Sequence, residues 1–271
     1  MSLVADLARP RPLPRSWAGT LEVRLAEDDE DIAAAQALRY EVFHREMGAH
    51  ASSTVHRLRR DIDPFDALCD HLLVIDHGAI TPRVVGTYRL LRQDVAAAHG
   101  GFYSAGEYDL APLIAAARPG RQLLELGRSC VAPEWRTSAT IQLLWRGIAT
   151  YLAEHGVGYL FGCASFPGAD PAQHRAALAY LHHHHLAPPP LRARALPQHH
   201  VAMDMIDPAG VDARAVARSL PPLLKAYLRV GACVGDGAFV DHAFNTVDVL
   251  VVMPVDRITS RYAARFGAAN D

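Results

Sequence analysis

Glu125 and Arg128 stand three residues apart in Gln122–Ala132, a run whose other residues read as a strand. A regular strand alternates its faces, so the two charges would point to opposite sides. Gly127 lies between them, and a glycine inside a strand often marks a bulge, whose extra residue can turn both side chains toward one cleft. A carboxylate and a guanidinium placed in that way pair and orient each other. The carboxylate could then take a proton from a nucleophile. The same spacing also fits two unrelated charges on the two faces of an edge strand.

Other charged residues sit where apolar ones are expected. Arg39 and Phe43 are four apart in a helical pattern, beside the stripe Ile32, Ala35, Leu38 and Val42, and so share a face. A buried arginine needs an acidic partner, because an uncompensated buried charge costs several kcal/mol. Asp63, Asp66 and Asp70 follow closely enough to supply one, although such a cluster also fits a solvated acidic turn. Arg89 falls in the middle of Arg83–Arg92, where strand alternation groups it with Val85, Thr87 and Leu91.

The elements that must carry these residues follow from periodicity. Leu21–Leu25, His71–Asp76, Arg83–Arg92, Gln122–Ala132, Gly158–Ser165, His200–Ile206 and Val247–Val252 read as strands. Helices are expected over Ile32–Met47, from Thr137 or Ser138 to His155, from Asp170-Pro171 to His184, and over Ser219–Val230. Between them, Ala49–Pro64 reads as a long polar loop, a length often linked to function. The pattern implies an α/β (α+β) fold with a mixed, mostly antiparallel central sheet flanked by helices. Residues 1–20, rich in Pro and Arg, read as a flexible N-terminal arm. Residues 21–267 form one domain, and 268–271 a tail.

Composition removes several function classes. A net charge of −2 gives no bulk attraction to nucleic acid. No apolar run reaches the ~18 residues a membrane span requires, and the N-terminus lacks the apolar core of a secretory signal. Cys69, Cys130, Cys163 and Cys233 show no paired spacing, which fits reduced, buried thiols in a cytoplasmic protein. His182 to His185 are adjacent and point in different directions on a helix, so no metal centre is expected.

Seven segments in order then carry a resemblance. Leu38-Arg39-Tyr40-Glu41-Val42-Phe43, Asp63–Asp66, Gly86-Thr87-Tyr88-Arg89-Leu90 and Glu125-Leu126-Gly127-Arg128 resemble the ordered signature of acyl-homoserine-lactone synthases. Leu160–Gly168, Leu220–Arg229 and Phe239–Val249 are similar to the ornithine-lipid N-acyltransferases. The resemblance covers the chain from about Leu21 to Gly267. It implies the GNAT acyltransferase fold with a C-terminal extension.

The implied reaction moves a 3-hydroxy fatty acyl group from the phosphopantetheine of acyl carrier protein to the α-amine of L-ornithine. Its product is a lyso-ornithine lipid. No bound cofactor is implied, and the partners are acyl carrier protein and a small amino acid, with peripheral inner-membrane contact. For such a reaction Glu125 is the candidate general base, acting through a water and fixed by Arg128; these roles go beyond what the resemblance itself implies. Arg39 and Arg89 are candidates for the substrate carboxylate, with Phe43 beside them, and one of Asp63, Asp66 and Asp70 for the δ-ammonium. Arg136-Thr137-Ser138-Ala139-Thr140-Ile141 lacks the glycines that wrap a diphosphate. Thr137, Ser138 and Thr140 at a helix N-terminus could still hold the single phosphate of phosphopantetheine. Leu143, Trp145, Phe161 and Phe166 are candidate liners of an acyl slot. Arg57, Arg59, Arg60, Arg214, Arg218 and Arg229 could meet an acidic carrier. Two other readings remain open: an acyl-homoserine-lactone synthase using S-adenosylmethionine, and a non-catalytic module of the same fold that binds lipid or carrier.

Overall fold

The computed structural model describes residues 13–257. The chain opens with a hairpin of β1 (Ser16–Ala18) and β2 (Leu21–Leu25). Ser16–Ala18 therefore belongs to the sheet and not to the arm expected over 1–20; residues 1–12 and 258–271, which include the expected tail, lie outside the described residues. Helix α1 (Asp29–Arg39) starts at Asp28, whose side chain accepts from the Asp31 N–H, and three acidic residues fill its first turn, where they oppose the helix dipole. Tyr40–Glu46 continues as a wider π-helical segment, so the helix expected over 32–47 is two joined helices. Short α2 (Ser53–Leu58) lies inside the stretch expected as loop.

The middle of the chain supplies β3 (Asp70–Asp76), β4 (Arg83–Arg92), α3 (Gln93–Ala98), β5 (Tyr108–Asp109), α4 (Ala111–Ala116) and β6 (Gln122–Val131). Long α5 (Ser138–His155) leads into β7 (Val157–Pro167) and α6 (Arg175–His185). After β8 (Arg194–Ala195), the strand expected over 200–206 shrinks to β9 (His200–Val201). Two short helices follow, α7 (Ala213–Ser219) and α8 (Pro222–Arg229), then β10 (Cys233–Val234), β11 (Ala238–Asp241) and β12 (Thr246–Pro254).

One sheet runs in the order β1-β2-β3-β4-β6-β7-β12-β11-β9, with β10 also on β12. β5 and β8 form a separate ribbon. Every pair in the large sheet is antiparallel except β6 with β7. Parallel neighbours cannot be joined by a tight turn, and α5 makes the crossover.

Alternation along β3 shows how the layers are placed. Leu72 and Val74 pack with Leu144 and Ile148 of α5, whereas Leu73 and Ile75 pack with Ala35 and Leu38 of α1. The two helices therefore cover opposite faces of the sheet. At Gly147, a side-chain carbon would lie 2.9 Å from Leu72 and from Val23, so glycine is what lets α5 sit this close. Val85 packs on the α5 side with Tyr88 and Leu90, not with Arg89 and Leu91 as simple alternation implies. A bulge opposite Val74/Ile75 shifts the register and accounts for the difference.

Candidate active site

The bulge expected in β6 is present, and it changes which residues share a face. Thr87 pairs with Cys130 and Arg89 with Gly127, so three steps on β6 match two on β4. Leu123 and Glu125, at odd positions, lie on the α1 side; beyond the bulge, the even-numbered Cys130 and Ala132 lie there. Arg128 takes the left-handed conformation, with φ of 50°, while Gly127 does not. A non-glycine residue held there is strained, and such strain clusters at functional sites. Glu125 and Arg128 both line one cavity.

The Glu125 carboxylate is buried at the start of the single turn Tyr103–Gly106. Oε2 accepts the Tyr103 N–H at 2.8 Å, and Oε1 accepts the Ser104 N–H at 2.8 Å and the Ser104 hydroxyl at 2.5 Å. Burial raises its pKa, and the bonds from Ser104 and Tyr103 only partly oppose that. Tyr103 also links Glu125 to Arg128. The Arg128 guanidinium lies over the Tyr103 ring at 4.8 Å and over Phe244 at 4.4 Å. No direct contact joins the two charges.

Behind them, three arginines and three aspartates form a closed, charge-balanced network. Arg39 reaches Asp61 and Asp66, each at 2.8 Å. Arg89 reaches Asp63 at 2.7 Å and Asp66 at 3.3 Å. Arg128 Nη2 donates to Asp63 at 3.1 Å, and its Nε lies 3.3 Å from Asp61, at an angle that makes no hydrogen bond. Burial pushes the Asp61 carboxyl up, yet the His44 hydrogen bond and the charges of Arg128 and Arg39 hold it well below the usual range. Asp66 is likewise lowered: burial opposes ionisation, but Arg39 and Arg89 prevail.

Arg39 is fully buried and does not reach the cavity, whereas Arg89 and Phe43 line it. Phe43 meets Phe244 edge to face at 5.9 Å. Asp70 lies elsewhere, paired with Arg92 at 2.6 Å and with the Tyr151 hydroxyl. Asp61 completes the network and stands just outside the Asp63–Asp66 segment that the sequence singles out.

The cavity, about 620 Å³, passes through the sheet. β6 and β7 are paired from Gln122/Val157 only as far as Glu125/Phe161 and then part. Gly162 sits at the fork, where a side-chain carbon would fall 2.2 Å from the Leu126 carbonyl oxygen. On the α5 side the walls are apolar: Leu144, Trp145, Leu223, Ala226 and Tyr227. Of the expected acyl liners only Trp145 reaches it; Leu143, Phe161 and Phe166 are buried in the core.

At the start of α5, the Thr137 side chain accepts from the Thr140 N–H as the helix cap. Thr140 is buried and Ser138 exposed. None of the three lines the cavity, but the flanking Arg136 and Ile141 do. Arg136 is held by Glu46 through two bonds of 2.6 Å.

The α1 side of the cavity contains a group the sequence reading missed. Glu107, Cys163 and Asp248 bring their ligand atoms within 4.8 Å of one another. Cys163 donates its thiol proton to Glu107 at 3.0 Å. Burial, with Asp248 and Asp241 nearby, pushes Glu107 up to about 8. Burial, with Asp241 nearby, pushes Asp248 up to about 6. Among the described residues these three are the group with metal-ligand spacing. The histidine run is not: His183 turns to the Ile206 carbonyl and His185 to the Tyr180 hydroxyl.

Comparisons with known proteins agree with this architecture. Residues 38–146 match the acetyltransferase (GNAT) domain family. An N-acyl amino acid synthase from uncultured soil microbes shares the fold, with a TM-score of 0.51 at 12% identity over 91% of this chain and 98% of that one. With its parted parallel strands and through-sheet cavity, the chain is a GNAT-type acyltransferase.

Closer relatives narrow the class. L-ornithine N(alpha)-acyltransferases from Agrobacterium fabrum and Rhizobium meliloti are 49% and 48% identical to it, each over 92% of this chain and over 86% and 84% of theirs. That from Brucella abortus is 48% identical over 92% of this chain and 90% of its own. The chain belongs to the L-ornithine N(alpha)-acyltransferase family.

Proposed function

We propose that this acyltransferase moves a 3-hydroxy fatty acyl group from the phosphopantetheine thioester of acyl carrier protein to the α-amine of L-ornithine. The observation that carries the reading is the two-sided cavity. An apolar wall on the α5 side suits a fatty chain, and a charged end around Glu125 and Arg128 suits an amino acid. The relatives' names supply ornithine as the acceptor.

In this reading the thioester lies at the fork between β6 and β7. The neutral amine attacks the thioester carbon, the C–N bond forms, and the oxyanion is held by backbone N–H groups at the bulge. The C–S bond then breaks and the thiolate leaves, to be protonated by the proton that Glu125 has taken from the amine. The amine proton passes through water to Glu125 Oε2, which accepts only one of the three bonds to that carboxylate and so keeps a lone pair. A raised Glu125 pKa favours this transfer near neutral pH.

Arg128, fixed between two aromatic rings, takes the α-carboxylate, with Arg89 behind it. Arg39 supports them through Asp61 and Asp66. Asp63 and Asp66 are occupied by arginines and Asp70 lies off the cavity, so the δ-ammonium needs other partners.

The phosphate end of the donor falls to the rim at Arg136 and Ser138, at the N-terminus of α5. Exposed arginines such as Arg57 are the docking candidates for an acidic carrier. Among the described residues no helix is long and apolar enough to cross a membrane. A lipid product makes contact with the inner membrane surface part of this reading.

Parallel assays with acyl carrier protein and coenzyme A thioesters of one 3-hydroxyacyl chain test the donor. A carrier-dependent reaction is expected, and equal turnover of the coenzyme A thioester would contradict it.

A further inference from the structure

We propose that Glu107, Asp248 and Thr246 form the subsite that holds the side-chain ammonium of the amino acid acceptor and so set the enzyme's preference for a cationic substrate. This rests on the reading of the acceptor as ornithine.

Two buried oxygens in this recess lack hydrogen-bond partners. Asp248 Oδ1 and Thr246 Oγ1 make no hydrogen bond of good geometry, although the Ser165 and Thr246 hydroxyls stand close enough to Asp248 to favour its ionised form; the two residues are 6% and 3% exposed and line the cavity. A buried acceptor without a donor is costly, and more so when charged. Such groups are expected to meet a ligand or water. Glu107 adds a third acceptor close to Asp248. An alkylammonium carries three N–H donors and no acceptor, which matches this set in number and in sign.

The charges point the same way. Each arginine of the Arg39–Arg89–Arg128 network already faces aspartates, whereas no described cation forms an ion pair with Glu107 or Asp248. Two close carboxylates without an ion-pair partner bind protons more tightly, and an arriving ammonium can take a proton's place.

The recess is also in reach of the reaction centre. Ser104 bonds Glu125 and lies 3.7 Å from Cys163, which in turn bonds Glu107. A three-carbon side chain can bridge that gap from an α-amine at Glu125. A metal is the competing occupant. Cys163 would have to give up the proton it donates to Glu107 before it could ligate one.

The test compares kcat/KM for L-ornithine and for L-norvaline, which has the same carbon chain without the ammonium, in the wild type, Asp248→Asn and Glu107→Gln. Wild type should prefer ornithine by at least about 30-fold, the lower range for losing one partner of a buried charge pair. Either variant should erase most of that preference by losing ornithine activity, while norvaline activity stays within about threefold. A parallel loss on both substrates would assign the residues a structural role and overturn the proposal, as would unchanged discrimination. A wild type that acylates norvaline as well as ornithine would overturn the underlying reading itself. Stoichiometric zinc in the purified wild type, absent from both variants, would assign the site to a metal instead.

Discussion

Ser104 grips Glu125 twice, donating to the same carboxylate oxygen from its backbone N–H at 2.8 Å and from its hydroxyl at 2.5 Å. One turn of chain between α3 and β5 is thereby tied to the strand that holds the proposed base. Hydrogen bonds to a carboxylate favour its ionised form, and burial drives the other way.

Removing the hydroxyl should therefore raise the Glu125 pKa further. In Ser104→Ala, the acid limb of the kcat/KM profile is expected to move up by about half to one pH unit, the equivalent of one net hydrogen bond. A limb that stays in place in this variant would remove Glu125 from the role of base.

Glu107 gives a stability signature that needs no substrate. It binds its proton more tightly in the folded chain, at about 8 against an ordinary 4.5. The stability this adds is full below about 4.5 and is lost as pH rises through 8. Thermal melts of Glu107→Gln should thus gain on the wild type between pH 5 and 9, with the gap widest at the alkaline end. A gap that does not change with pH would mean that Glu107 titrates normally.

Gly162 lets β7 lie against the Leu126 carbonyl at the fork by having no side chain. Gly162→Ala must push β7 away from the Leu126 carbonyl, at roughly 2 kcal/mol or more. A lower urea midpoint with an unchanged slope is the expected result. An unaltered midpoint would show that this close approach does not require glycine.

Arg39 is the innermost of the three arginines, and Arg39→Met would leave Asp61 and Asp66 short of a counter-charge. Stripping one partner from a buried pair costs about 3–5 kcal/mol. Equilibrium unfolding should record a loss of that size. A loss below about 1 kcal/mol would mean that the network is far more solvated than its burial implies.

The fold was legible where periodicity was strong. The paired strands β3 and β4, the crossover helix α5 and the β6 bulge all follow from apolar spacing and one glycine. Short strands such as β9 were not, because two residues carry no alternation to read.

Charged residues in apolar strands were a partial guide to the site. Arg89 carries that signal, and so does Asp248 in the run Thr246–Val252, which the sequence otherwise marks only as part of the resembling segment Phe239–Val249. Glu107 and Ser104 had no such mark. They lie in a short turn whose place beside Glu125 is set by tertiary packing alone. The partners of Arg39 were also only half visible, since Asp61 and Asp66 approach it from a bend that sequence spacing does not describe.

The mass of the product tests the acyl transfer to ornithine most directly. Purified protein would be given 3-hydroxyacyl–acyl carrier protein, a mixture of amino acids and S-adenosylmethionine in one reaction. N-(3-hydroxyacyl)ornithine with release of free carrier is the expected product. An acyl-homoserine lactone, an acylated neutral amino acid in place of ornithine, or no acylated product at all would contradict it.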